Sequence, residues 1–266
     1  MVVRELYGTV VGRWYVMVLG VVYLVAAVRH LGWRKTGLYT VAALAIGALA
    51  ENGSVHLGVP YTRYAFNSAL RGKEVFLGDV PLMVPLSYTF MGYFAFATGR
   101  LVVSGPWRTR GRSWGHEYLM ALVLAVWAIW TFDPVARLGN RWFLGRLFHY
   151  AGPGFWFGLP VGSQLGFTLT AGLLIGLLAW MTRNEPDLAV SDWRRHPHLI
   201  SLATYHGQIL WLAVVAWVLE ADTLGGSAVL MWVPAALVTA VYWSSLRPRG
   251  GRDGEDAVVT SLQAAP

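Results

Sequence analysis

The strongest constraint on this chain is a series of apolar runs long enough to cross a bilayer. Residues 37–67 read GLYTVAALAIGALAENGSVHLGVPYTRYAFN, and nothing from Gly37 to Ala50 is charged. A helix starting at Gly37 rises about 1.5 Å per residue and has climbed roughly 20 Å when it reaches Glu51. The hydrocarbon core of a bilayer is roughly 30 Å thick. An ionisable group at that depth is costly, and its default reading is functional. The alternatives for Glu51 are an interfacial position, if the helix begins later, or a buried structural bond to a neighbouring helix.

Composition generalises the point. The 266 residues are 56% hydrophobic and only 13% charged, with mean hydropathy +0.48 and 14 tryptophans, which is the balance of a polytopic membrane protein. The expected fold is all-α, a bundle of about seven transmembrane helices near 14–31, 37–56, 80–103, 117–133, 163–182, 201–221 and 227–246. Residues 1–246 are expected to form one membrane domain, and 247–266 a polar, disordered cytoplasmic tail. The first span follows Arg13 and lacks a small-residue cleavage site, so it is expected to remain as a helix.

Counting Lys and Arg on alternating sides places eight with the N-terminus and thirteen opposite, including Arg108, Arg110, Arg112, Arg194 and Arg195. The positive-inside rule then predicts an outer N-terminus and a cytoplasmic C-terminus. The same scatter of arginines through short loops explains the net charge of +7 without nucleic acid, which is not expected as a partner. With no cysteine, disulfides, thiolate metal sites and thiol catalysis are excluded.

The fourth predicted helix runs apolar from Leu119 to Phe132 and then meets Asp133 and Pro134, where the helix is expected to end. Asp133 therefore falls on the same side as Glu51, unless it merely marks a helix end. The loops HLGVPYTRY and WFGLPVGSQ, which follow the second and fourth helices, echo each other as Gly-apolar-Pro plus polar side chains. That weak repeat suggests paired helical units facing one cavity.

The candidate constellation on this side is Glu51, Asn52, Tyr61, Tyr64, Asn67, Asp79, Asp133, Asn140, Trp142 and Gln164. It is rimmed by Phe66, Phe76, Phe155, Trp156 and Phe157. An apolar cavity keeps a carboxylic acid in its neutral, proton-donating form, which is what protonation of an unactivated alkene needs. Aromatic faces stabilise the carbocation that follows. Blander readings stand beside these: Asp79 before Val80-Pro81 as an N-cap of the third helix, and Tyr61, Tyr64, Trp142 and Trp156 as an interfacial aromatic belt.

His206, near the cytoplasmic end of the sixth helix, is either a packing histidine or a secondary acid–base group. His196 and His198, in RRHPH, are expected to face lipid headgroups. His116-Glu117 lacks the second histidine four residues on that a zinc helix needs. There is no aspartate-rich cluster to hold magnesium and diphosphate, no Gly-x-Gly-x-x-Gly after a strand, and no histidine-box array. What remains is cofactor-free acid–base chemistry on a lipid in the membrane, or binding and transport.

Two stretches carry a resemblance. ENGSVHLGVPYTRYAFNSALRGKEVFLGDVPLMVPLSYTFMGY and TFDPVARLGNRWFLGRLFHYAGPGFWFGLPVGSQLGF resemble the integral membrane carotenoid biosynthesis family that includes bisanhydrobacterioruberin hydratase and related carotenoid hydratases. The first keeps Glu51, Gly58, Pro60, Tyr61 and Tyr64, and the second keeps Asp133, Pro134, Trp142, Gly158 and Pro160. Where members carry Asn and then Gly-Trp, this chain has Ser163, Gln164, Gly166 and Phe167.

The resemblance implies hydration of a terminal isoprenoid double bond through a tertiary carbocation, with Glu51 or Asp133 donating the proton. The other carboxylate, or Asn52 and Tyr64, would position water. Two rivals share parts of this reading: a membrane terpene cyclase that traps the same cation with an alkene, and a lipid or small-molecule transporter.

Overall fold

The computed structural model describes residues 2–103, 113–185 and 198–245. His196, the basic loop residues Arg108, Arg110, Arg112, Arg194 and Arg195, and the tail from 247 lie outside them. Among the described residues the chain is an all-α bundle. Its helices are α1 (Val2–Gly12), α2 (Trp14–Leu57), α3 (Met83–Val103), α4 (Trp114–Arg137), α5 (Val161–Met181), α6 (Leu199–Val218) and α7 (Asp222–Ser245). Four short strands, β1 (Tyr64–Phe66), β2 (Phe76–Leu77), β3 (Val80–Pro81) and β4 (Phe148–Tyr150), lie in the loops. Among the described residues five helices, α2, α4, α5, α6 and α7, are long and apolar enough to cross a bilayer.

The first two predicted helices are one 44-residue element, α2, broken at Gly32, whose φ of 74° and ψ of 165° are open only to glycine. The break is a reversal. In a straight helix residues 23 and 40 would stand about 25 Å apart, yet the hydroxyls of Tyr23 and Thr40 meet at 2.7 Å. Trp14–Leu31 and Trp33–Leu57 therefore pack as two antiparallel arms. The second arm stops at Gly58 (φ 77°), whose amide returns to the carbonyl of Ser54 at 3.0 Å in a left-handed cap.

α3 lies at the centre, with Tyr93, Phe94 and Phe96 almost wholly buried. It begins at Met83 and not at residue 80, because Val80-Pro81 is taken up in a hairpin with Phe76-Leu77. α4 departs more from expectation: it runs through Pro134 and ends at Arg137. A proline inside a helix removes the bond to the carbonyl four residues earlier. Here that carbonyl, Trp130 O, accepts a hydrogen bond from the Trp156 indole at 2.9 Å. The indole replaces the missing backbone donor, so the helix tolerates the proline and Asp133 sits a turn inside it.

Successive elements alternate between two poles. Glu51 in α2, Met83 at the start of α3, Asp133 in α4 and Ser163 at the start of α5 share one cavity. The opposite ends gather a buried ion-pair network around Arg100 of α3. Its Nη1 lies 2.6 Å from Glu185 beyond α5 and 2.9 Å from His30 Nε2, and its Nε lies 3.8 Å from Glu117 of α4. Lys35 also reaches Glu185, at 3.0 Å. His198 belongs to this pole: it is fully buried, its ring edge-on to His30 with centroids 4.3 Å apart. The expectation that it faces lipid headgroups is thus corrected; the start of α6 tucks it under the Gly32 reversal.

Candidate active site

At the first pole the loops 58–82 and 142–160 fold together over the bundle. β1 pairs antiparallel with β4, Tyr64 opposite Tyr150 and Phe66 opposite Phe148. The four rings form a roof: Tyr64 lies 5.3 Å from both Phe66 and Tyr150, and 6.1 Å from Phe148, between centroids. The Tyr150 hydroxyl is tied to Ser163 Oγ of α5 at 2.7 Å. The roof is seated by close backbone approach. A Cβ on Gly166 would stand 2.3 Å from the Pro60 carbonyl, and one on Gly162 would stand 2.4 Å from Thr62 Oγ1.

Beneath the roof is a cavity of about 120 Å³, walled mainly by Val16, Met83, Met91, Ile129, Phe132, Phe167 and Leu174 together with the four roof rings. Two carboxyl groups line it, Glu51 from α2 and Asp133 from α4. Glu51 is buried, and its Oε1 accepts a hydrogen bond from the Tyr88 hydroxyl at 2.5 Å. Tyr88 in turn lies 2.6 Å from the Tyr61 hydroxyl, which donates to Thr170 Oγ1 at 3.1 Å. The chain ends where Thr170 donates to the Gly166 carbonyl at 3.0 Å. Gly47, one turn before Glu51, makes room for this arrangement, since a Cβ there would be 3.1 Å from the Tyr88 ring. Among the described residues Asp133 has neither a hydrogen bond nor an ion pair.

The mouth holds a second kind of chemistry. Arg13, just before α2, is buried and paired with Glu74 at 2.9 Å, and it donates to the Leu144 carbonyl at 2.7 Å. This pair ties both loops to the start of the bundle. It also leaves a compensated cation at the cavity wall. Around the roof, burial pushes the phenol pKa values of Tyr61 and Tyr150 upward, and the nearby carboxylates push them in the same direction. Both phenols are therefore neutral hydroxyls, able to donate as well as accept.

Of the residues singled out from sequence, Glu51, Asp133, Tyr61, Tyr64 and Phe66 line the cavity. The others do not line it. Asn52 clamps the β2–β3 hairpin to α2, donating to Ala48 O and Leu77 O and accepting from the Asp79 amide. Asp79 is paired with Arg71, and with His56 at 3.0 Å. It stands at the tip of that hairpin, ahead of the α3 start. Asn67 accepts from the Ala69 amide and donates to Arg146 O, fastening one loop to the other.

Asn140 is exposed, and Trp142 packs against the cluster that holds Leu212 and Val215 of α6 and Leu219 just beyond it. Trp156 caps the Pro134 break, as described above, while Phe155 is 69% exposed and Phe76 lies under Arg71. Gln164 is buried beside Ser163, and both its side-chain amide atoms lack a partner among the described residues. His206 bonds Thr239 of α7 at 3.0 Å, joining two helices away from the cavity.

Sequence reasoning missed Tyr88, Thr170, Tyr150, Ser163 and Arg13. Tyr88 lies in SYTFMGYF, where four hydroxyl residues interrupt an apolar helix and only packing distinguishes the one that faces Glu51. The alternation in Phe148-His149-Tyr150 was a faint strand signal for the roof. Comparison with curated proteins and with solved structures gave no match. The model of one family, carotenoid biosynthesis protein, matches residues 12–242, from the last residue of α1 into the last turn of α7 and with both carboxylates inside the matched region. This integral membrane chain belongs to the carotenoid biosynthesis protein family.

Proposed function

We propose that the chain is a carotenoid hydratase, adding water across a terminal double bond of an acyclic isoprenoid. The observation that carries the reading is two carboxyl groups, Glu51 and Asp133, facing one apolar, aromatic-roofed cavity. Protonating an unactivated alkene needs a neutral acid shielded from water, and the second carboxylate supplies a base for the water that ends the reaction. The carbocation between these steps is held by ring faces, here Tyr64, Phe66, Phe148 and Phe167.

A cavity of about 120 Å³ takes the end of a long polyene and leaves its length outside. A terminal alkene is therefore the reacting group. The bonds balance without an external electron donor or acceptor. The alkene π pair forms a C–H bond with the acid's proton, water's lone pair forms the C–O bond at the tertiary carbon, and the excess proton passes to the base. The positive-inside reading places this pole at the outer face of the membrane.

The test is expression in a host that accumulates acyclic carotenoids, with mass analysis of the pigments. A new species heavier by one water supports hydration. An isomer of unchanged mass would instead indicate cyclisation, in which an alkene captures the cation, and an unchanged pigment profile would contradict both.

A further inference from the structure

Resting on the hydration reading above, we infer that the paired hydroxyls of Tyr150 and Ser163 hold the water that captures the carbocation, and so decide whether the cation ends as an alcohol or returns to an alkene.

Both residues line the cavity that holds Glu51 and Asp133. They arrive from different elements: Ser163 from the first turn of α5, and Tyr150 from β4, where pairing with Tyr64 fixes it in the roof. Their oxygens meet at 2.7 Å, and either can be the donor. Two hydroxyls bring two protons, and the bond between them uses one. Among the described residues neither hydroxyl makes another hydrogen bond, so the pair keeps one proton to give and lone pairs to receive. Other hydroxyls on the wall are already engaged, Tyr88 with Glu51 and Tyr61, Tyr61 also with Thr170, and Ser87 with the Val84 carbonyl.

A buried water needs about 10–15 Å³ of room and 2–4 polar partners. At this pair it accepts the spare hydroxyl proton and donates one of its own to the other oxygen. That leaves the water one lone pair for the cation and one proton for a carboxylate. Capture then balances: the lone pair forms the C–O bond at the tertiary carbon, and the excess proton passes to a carboxylate of the same cavity. Without a water in place the cation has another outlet. A C–H bond beside the cationic carbon breaks, its electron pair restores the double bond, and the proton goes to the carboxylate. The mass is then unchanged. Tyr150 and Ser163 act on the reaction through the water they hold, so they are positioning residues, and what they set is the fate of the cation and not its formation.

The purified full chain in detergent, given lycopene as an acyclic carotenoid in deuterium oxide, separates these two steps by mass analysis of the pigments. In that solvent each protonation installs deuterium on carbon. Labelled alkene counts the cations that lost a proton, and labelled alcohol counts those that water captured. In Tyr150→Phe and in Ser163→Ala the entry of deuterium should persist, while the ratio of alcohol to labelled alkene falls about tenfold, the weight of one lost hydrogen bond. An unchanged ratio in both variants would overturn the water site and leave hydration standing. So would a fall in deuterium entry at constant ratio, which is what a merely structural role gives. An unaltered protein that labels the alkene without forming alcohol, or leaves the carotenoid unlabelled, would sink the hydration reading and the water site with it.

Discussion

Glu51 and Asp133 are two ordinary carboxylates made unusual by where the chain puts them. Removing either should leave the bundle standing while removing the chemistry, because neither anchors an ion pair. Glu51→Gln and Asp133→Asn are each expected to lower product formation by about 10²–10⁴-fold, the usual weight of a general acid or base, with unchanged yield of folded protein. Wild-type turnover in both would end the proposal. Both acids were legible in sequence because each interrupts or ends an apolar run. Asn52, Asn67 and Asp79 were drawn into the same set by nearness along the chain. The fold uses them instead to bind loops together, and no pattern in the sequence distinguishes a polar side chain facing a cavity from one facing a carbonyl. Tyr88 was invisible for the opposite reason, as one hydroxyl among several in a helix that buries nearly all its faces.

At the scale of elements, the apolar runs fixed where helices lie but not how they end. Pro134 looked like a stop, and the structure shows a helix continuing because Trp156 supplies the absent donor to Trp130 O. Trp156→Phe keeps an aromatic ring, smaller than the indole, and removes the N–H. It is expected to destabilise the protein by about 1–3 kcal/mol, the cost of an unpaired buried carbonyl, measured as a lower thermal midpoint in detergent. An unchanged midpoint would show that the break is satisfied by other means.

Gly166 allows a comparable test of how the roof is seated. A methyl group there meets the Pro60 carbonyl at 2.3 Å, so Gly166→Ala should cost about 1–3 kcal/mol and lower activity by shifting Tyr61. Gly32 falls in the gap between the first two predicted helices, 14–31 and 37–56. Its positive φ is what folds α2 back on itself. Hydropathy separates the two runs at this point but does not show that a single residue makes the turn.

Across the whole molecule the two poles divide the work. At one pole an apolar cavity holds the two carboxyl groups and the polar bonds lie in the loops above it, whereas the other pole is stitched through the helix ends by Arg100, Glu117, Glu185, His30 and Lys35. Burial opposes ionisation of Glu185, but hydrogen bonds from His30, Arg100 and Lys35 outweigh it and hold its pKa down from 4.5 to about 2. A depressed carboxylate stabilises the fold above its unfolded pKa, and that contribution fades as pH falls from about 4.5 through about 2. The thermal midpoint should therefore drop across that window, and Glu185→Gln should start lower at neutral pH and lose the part of the slope that Glu185 contributes. An identical slope in the variant would assign the acid sensitivity elsewhere. None of this network was legible in the sequence, because its members come from three helices and a loop far apart along the chain.

The central claim is that water, and not an alkene, captures a cation formed at the Glu51–Asp133 cavity. It is tested most directly by incubating the purified protein in detergent with a defined acyclic carotenoid in water enriched in heavy oxygen. Hydration predicts a tertiary alcohol carrying the label, formed without any ion gradient and absent with Glu51→Gln. Recovery of the carotenoid unchanged, or as an unlabelled isomer of the same mass, would contradict it.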